Sequence, residues 1–243
     1  MRGSRDESRN IKDHAQKAYL GIRKMLFHNE ITPGQKISYR ELAERLNMSP
    51  TPVIQALKFL EFQNLVRREP NRGYFTQPMS LQEVEEIYDL REAIELSMLS
   101  KAIRQLNNEG RAKLQKAYDA YMLSAHNFYS AHERKELTEA NFNDELLKDM
   151  ELHLTLASLS QCRVHQTVLR NLFDLLYLKY RASILFVTAK GNVDKEHRDI
   201  FEAVIAGDLR RSKKVLALHI SNVKKHALSC LAQKIKEKEG IAF

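Results

Sequence analysis

No run in the sequence approaches the eighteen or so consecutive apolar residues that a membrane helix requires, and the opening MRGSRDESRN has no signal-peptide core. A cytoplasmic protein with no membrane partner is therefore expected. Cysteine is almost absent: only Cys162 and Cys230 occur, without Cys-x-x-Cys spacing. That excludes a disulfide framework and a thiolate metal cage, and both thiols are read as reduced and buried. Strand-like alternation is missing after Ser80, and the whole chain lacks internal repeats and low-complexity segments.

What is present is enough for two domains: 243 residues, of which 43% are hydrophobic. The net charge of +8 is unevenly placed. Residues 1–78 hold 14 Lys/Arg against 8 Asp/Glu, a net of +6, whereas residues 79–243 hold 25 against 23. A positive field concentrated in the first third favours a polyanionic partner, because neutralised phosphates release condensed counterions. Charge alone is explained equally well by a basic surface that confers solubility.

Residues 12–29 carry Ala15, Ala18, Tyr19, Ile22, Met25 and Leu26 at helical spacing. After a turn at Ile31-Thr32-Pro33-Gly34, Ser38 followed by Glu41 reads as a capping box opening a short helix that ends near Asn47. A third helix starts at Ser49-Pro50, with serine able to cap and Pro50 in the first helical position, and turns Val53, Ala56, Leu57, Leu60 and Phe62 inward. Two short helices separated by Asn47-Met48-Ser49 match a helix-turn-helix, whose second helix enters the major groove. Leu65–Arg68 and Tyr74–Thr76 read as two strands of a β-hairpin wing, with Arg72 and Gly73 at its tip suited to approach a phosphate or a minor groove. From Ser80 onward the period is helical, with helices expected near 81–106, 110–133, 137–159, 164–188, 193–206 and 208–237.

Asp149 and His153 lie four apart on one helix face, a spacing suited to two ligands of one metal. His197 opens the next-to-last helix and His219 sits mid-way along the last, with Ile200, Val204, Val215 and Leu218 marking the inward faces. Three imidazoles and a carboxylate would make a site for zinc, nickel or manganese. On spacing alone a second reading stays open, in which these histidines only cap or hydrogen-bond. Glu196 beside His197 reads as a helix-start acid, with a metallohydrolase base as the alternative.

Ile31–Ile37, Arg40-Glu41-Leu42-Ala43, Met48–Val53, Asn64-Leu65-Val66 and Pro70–Phe75 together resemble the DNA-binding domain of the GntR family of transcription regulators. The remainder is similar to the FadR-like subgroup with a helical FCD ligand-binding domain, through Asp-Leu-Arg-x-x-Ile-Glu at 89–95, Asp149-x-x-x-His153, Glu196-His197, Gly207-Asp208 and His219. The resemblance implies a mostly α protein: a winged helix-turn-helix at 1–78 and an antiparallel helical bundle at 79–243. It further implies a divalent ion, zinc first and nickel or manganese as alternatives, on Asp149, His153, His197 and His219. That ion would help to hold a small carboxylate effector.

Effector contacts are expected from Arg91, whose alternative is a salt bridge to Glu95, and more weakly from Arg181 and Asn222. Operator contacts are expected from Arg40, Ser49, Thr51, Gln55, Lys58, Arg72 and Gly73. Similar proteins carry Ser-Arg-Thr-Pro-Val-Arg-Glu at the recognition helix, where this chain has Ser49-Pro50-Thr51-Pro52-Val53-Ile54-Gln55. Both arginines are missing, so base reading falls to Thr51, Gln55 and Arg40, with Gln55 able to address adenine. The function expected is a homodimeric, effector-controlled repressor bound to double-stranded operator DNA. A metal-free sensor and a metalloenzyme on the Asp/His site are the alternatives.

Overall fold

Apolar residues three and four apart build the first helix, α1 (Gly3–Phe27), which buries Ala15, Ala18, Ile22, Met25 and Leu26. The structure is a computed structural model and describes residues 3–28, 30–78, 80–180 and 193–238. Helix α2 (Tyr39–Arg45) starts where the Ser38 hydroxyl accepts the Glu41 N–H at 3.3 Å. Asn47, at φ 51°, then takes the left-handed turn into α3 (Pro50–Phe62), a conformation asparagine tolerates better than most residues. Pro50 opens α3 as expected, but the Ser49 side chain makes no capping bond.

Helix α3 lays Val53, Ala56, Leu57 and Leu60 against α1 and α2. Phe62 departs from the expectation and is 87% exposed. Two residues beyond Leu60 rotate the side chain by about 200°, so it cannot share the buried face. Strands β1 (Lys36–Ile37), β2 (Val66–Glu69) and β3 (Gly73–Thr76) form an antiparallel sheet in the order β1-β3-β2. The β-hairpin was expected. The third strand was not, because two residues are too few to show alternation.

The chain divides into two units: one comprises residues 1–79 together with 177–181, the other residues 80–176 and 182–243. Helix α4 (Leu81–Arg104) opens with a reciprocal box in which Ser80 Oγ accepts the Glu83 N–H at 3.1 Å and Glu83 Oε2 accepts the Ser80 N–H at 2.9 Å. It is followed by α5 (Asn108–Glu133), α6 (Glu139–Ser158) and α7 (Arg163–Asp174), which widens into a π-type stretch, Leu175–Tyr180. The helix expected at 164–188 therefore changes geometry at Leu175, and its remainder lies outside the described residues. Helices α8 (Val193–Ile205) and α9 (Leu209–Lys238) complete the unit, separated by Gly207 at φ 73°.

Helix α4 packs on α6, α7 and α9, while α5 and α9 each pack on α8, so α6 and α8 present facing sides to one interior. Leu216 and Ile220 are buried on α9 while Leu218 is 54% exposed, the reverse of the expected face for Leu218. Neither Cys162 nor Cys230 is in a disulfide, and each is half-buried where full burial is expected. No helix among the described residues is long and apolar enough to cross a membrane. Ser80→Ala removes one half of the box at the start of α4 and should lower stability by about 1 kcal/mol, read as a shift in the urea midpoint at unchanged slope.

Candidate functional site

Helix α6 buries a stripe that includes Glu145, Asp149, Leu152, His153 and Leu156, so three polar groups at four-residue intervals point into an otherwise apolar interior. Helix α8 adds His197 and α9 adds His219. Ligand atoms of Asp149, His153, His197 and His219 all lie within 4.8 Å of one another, and all four residues are buried. His197 Nε2 stands 3.1 Å from Asp149 Oδ1 and 3.3 Å from His153 Nε2, and Asp149 Oδ1 is 3.9 Å from His153 Nε2. Ligand atoms around one zinc-like ion are separated by about 3 to 4 Å, so this donor set fits a divalent ion. The four positions read from the sequence are thus brought to one place.

The remaining imidazole nitrogens explain the orientation. His153 Nδ1 lies 2.7 Å from Glu95 Oε2, and His219 Nδ1 lies 2.9 Å from Glu196 Oε2. A carboxylate only accepts, so each Nδ1 carries the proton and each Nε2 offers its lone pair to the cluster. His197 Nδ1 is buried with no hydrogen-bond partner among the described residues. In the sequence Glu95 pairs by spacing only with Arg91, and Glu196 reads as a helix-start acid with a metallohydrolase base as the alternative. Their histidine contacts are set by where α4 meets α6 and where α8 meets α9, which no spacing within one helix reveals.

The charges follow from burial and neighbours. Burial opposes ionisation of Asp149, but the hydrogen bond from His197 and the charges of His153, His197 and Arg91 outweigh it and hold the carboxyl well below its usual range. For Glu95 burial is likewise overcome, by Arg91 and His153, and the carboxyl is pulled down to about 2. His219 is pushed well below the usual imidazole value by burial and by the neighbouring His197 and His153, which favours the neutral, metal-binding form. Glu145 goes the other way: burial, then Asp149, Asp194 and Asp144, raise it well above the ordinary carboxyl range.

Of the expected effector residues, Arg91 takes the salt-bridge alternative, with Nε 2.8 Å from Glu95 Oε1, and its guanidinium lies 4.4 Å from the Phe173 ring centroid. Its charge still reaches Asp149 and His219. Asn222 Nδ2 donates to Glu196 Oε1 at 2.6 Å, so it braces the partner of His219. Arg181 lies outside the described residues. Next to His153 and His197, a cavity of about 10 Å³ is walled by Leu114, Leu152, Leu156, Ile200 and Val204.

In the first unit Arg40, Ser49, Thr51 and Lys58 are exposed, and Gln55 is half-buried on α3. Ser49 and Thr51 sit at the N-terminal end of α3, the end that faces bases in a helix-turn-helix. Arg72 is exposed on the turn after β2, where Nη1 contacts Glu69 Oε2 at 2.5 Å, and Arg67 pairs with the same carboxylate. Both guanidinium groups lie 5.4 Å from the Phe75 ring centroid. Gly73 begins β3 at φ 100°, a backbone conformation that favours glycine.

A family model described as FCD domain matches residues 86–222, and one described as bacterial regulatory proteins, gntR family, matches residues 14–76. The HTH-type transcriptional regulator YdhC of Bacillus subtilis is 24% identical over 211 residues, covering 86% of this chain and 88% of the relative. The HTH-type transcriptional repressor RspR of Escherichia coli is 24% identical over 208 residues, 86% of each chain. In fold, the chain is similar to a GntR-type transcriptional regulator from Rhodococcus sp. RHA1, with a TM-score of 0.72, 18% identity and coverage of 89% of this chain and 98% of that one. Escherichia coli McbR/YncC gives a TM-score of 0.69 at 18% identity, covering 91% and 98%.

The raised Glu145 carboxyl yields a signed pH dependence. The unfolded chain loses this proton above 4.5 and the folded chain keeps it, so the stability it contributes is present below 4.5 and is lost as pH rises towards the folded value. Facing it are Asp144 and Asp149 on its own helix and Asp194 from α8. Nearby on α5, Tyr121 is raised in turn by Glu145 and Asp194, after burial. Glu145→Gln cannot ionise and should melt increasingly higher than the parent between pH 4.5 and pH 8. Parallel melting curves across that range would contradict the assignment.

Proposed function

The chain belongs to the GntR family of bacterial regulatory proteins, with an FCD domain following its DNA-binding domain in sequence, and on that premise we propose a metal-dependent, effector-controlled repressor. It is a transcription regulator of that type and not an enzyme. The observation that carries the sensing half is the convergence of Asp149, His153, His197 and His219 to within 4.8 Å. A bound divalent ion supplies there the positive charge that attracts a carboxylate. Three imidazoles and one carboxylate suit zinc first, with nickel or manganese next. Glu95 and Glu196 fix two of the imidazoles, Asn222 steadies Glu196, and Arg91 adds a positive field on the same side.

Residues 1–78 form the operator-binding domain and residues 79–243 the sensing and dimerising domain. The protein acts in the cytoplasm as a homodimer, one winged domain per half-site of a pseudo-palindromic operator. Thr51, Gln55 and Arg40 read bases, while Ser49, Lys58, Arg72 and the Gly73 backbone hold phosphates. Ser49 suits this role because its hydroxyl is not spent on capping α3. Binding of a small organic acid beside the ion alters the packing of α4, α6, α8 and α9 and thereby operator affinity, a coupling of roughly 1–3 kcal/mol. Repression is favoured because the similar regulator RspR is itself a repressor.

Elemental analysis of the purified protein should give one divalent ion per chain, falling to near zero in His219→Ala and Asp149→Ala. A parent protein without stoichiometric metal after loading would overturn the metal reading. Arg40→Ala and Arg72→Ala should each weaken operator binding and reduce the slope of log affinity against log salt by about 1. Unchanged binding and slope in both variants would remove them from the interface.

A further inference from the structure

One helical turn from the Asp149/His layer lies a second polar layer that the carboxylate-and-ion reading leaves unused. Glu145 precedes Asp149 by four residues on the same face of α6, and it is 2% exposed. Its Oε2 is buried with no hydrogen-bond partner among the described residues. Asp194 precedes His197 by three residues on α8, and its Oδ1 accepts the Tyr121 hydroxyl at 2.9 Å. The Tyr121 ring stands edge-on to His197, with centroids 4.4 Å apart, and so joins the two layers. The opposite side is apolar: Leu114, Leu152, Leu156, Ile200 and Val204 wall a cavity with room for about one water. Among the described residues, Glu145 and Asp194 supply polar acceptors one turn from the ion site, so a polar ligand on the ion can extend towards them.

The charges there specify what that extension carries. Arg91 is paired with Glu95 on α4, and its charge bears on Asp149 and His219 in the first layer. A ligand bearing only carboxylates would bring further negative charge beside Asp149 and Asp194, and would offer no donor to the Glu145 oxygen that lacks a hydrogen-bond partner among the described residues. An ammonium group offers three donors and a positive charge to acceptors that lack both, and it would give the orphaned Glu145 oxygen its partner. Burial first, and then the charges of Asp149, Asp194 and Asp144, raise the Glu145 carboxyl.

We propose that the effector is a compact amino acid, its carboxylate on the ion held by Asp149, His153, His197 and His219 and its ammonium between Glu145 and Asp194. The two ends are separated by about one helical turn, roughly 5.4 Å along α6, which sets the scale of the ligand. This assignment rests on the carboxylate-and-ion reading of the same site and adds the second functional group.

The test uses the full-length, metal-loaded protein and calorimetric titration with acids of matched skeleton: propionate, lactate and alanine; succinate, malate and aspartate; butyrate and 4-aminobutyrate. In at least one set the amino acid should bind about tenfold or more tighter than its hydroxy and unsubstituted counterparts. Glu145→Gln and, independently, Asp194→Asn should erase that preference while the metal content stays at one per chain and the unsubstituted acid binds as before. Acids that bind without preference for the amine, or a preference that survives both substitutions, overturn the amino-acid assignment and leave the carboxylate-and-ion reading in place. Binding by none of these acids to the loaded protein overturns both.

Discussion

Glu95 is the group on which the polar interior of the second unit depends. Its two oxygens are divided between Arg91 Nε at 2.8 Å and His153 Nδ1 at 2.7 Å, and the carboxyl is ionised down to about pH 2. One buried anion thus neutralises the guanidinium on its own helix and fixes the tautomer of a histidine on another. Removing it would take from the buried Arg91 its carboxylate partner at 2.8 Å, a destabilising change. Helix α4 supplies no member of the Asp/His cluster, yet through Glu95 it decides which nitrogen of His153 faces inward. Glu196 does the same for His219 from α8, with Asn222 holding its other oxygen.

These buried groups are zoned along the helices. Following α6 from Glu145 through Asp149 and His153 to Leu156, the surroundings pass from carboxyl groups, through mixed imidazoles and carboxylate, to hydrocarbon. Helix α8 runs the same sequence from Asp194 through His197 to Ile200 and Val204. Two helices with matching gradients make a site with direction, so a ligand's polarity and not only its size determines how it fits. Burying this many polar groups without full mutual pairing is costly in a ligand-free protein, and such cost is commonly accepted where binding later offsets it.

The fold was largely legible because its signals are local. Three- and four-residue periodicity placed the helices, Ser80 and Pro50 marked two starts, and glycine marked the α8–α9 break at Gly207. The four clustering residues were legible through Asp149 and His153 on one face plus a family resemblance that linked His197 and His219. What escaped was tertiary. The Glu95–His153 and Tyr121–Asp194 contacts span 58 and 73 residues, and no within-helix pattern encodes them. Phe62 and Leu218 were misplaced for a simpler reason: hydrophobic type was taken as burial when helical phase put each on the outward face. Strand β1 was missed because it is only two residues long.

The DNA-binding unit shows the same principle of shared charge with the opposite consequence. In the wing, Arg67 and Arg72 both hold Glu69, and both guanidinium groups flank Phe75. A phosphate must therefore displace a carboxylate to engage Arg72, so the exchange swaps one anion for another and the net gain is smaller than a free arginine would give. The flanking aromatic ring lowers the ordering cost, because the guanidinium is already held near its working position. At the other contact surface, α3 offers Ser49, Thr51, Gln55 and Lys58 where a pair of arginines would give strong guanine contacts. On the proposed interface, affinity would lean on the helix N-terminus, the Ser49 hydroxyl and the backbone at Gly73, groups that position DNA without reading it. On the same proposal, discrimination between sequences would fall on few side chains, Gln55 foremost, since an amide can satisfy the donor and acceptor of adenine together and no other base presents that pair.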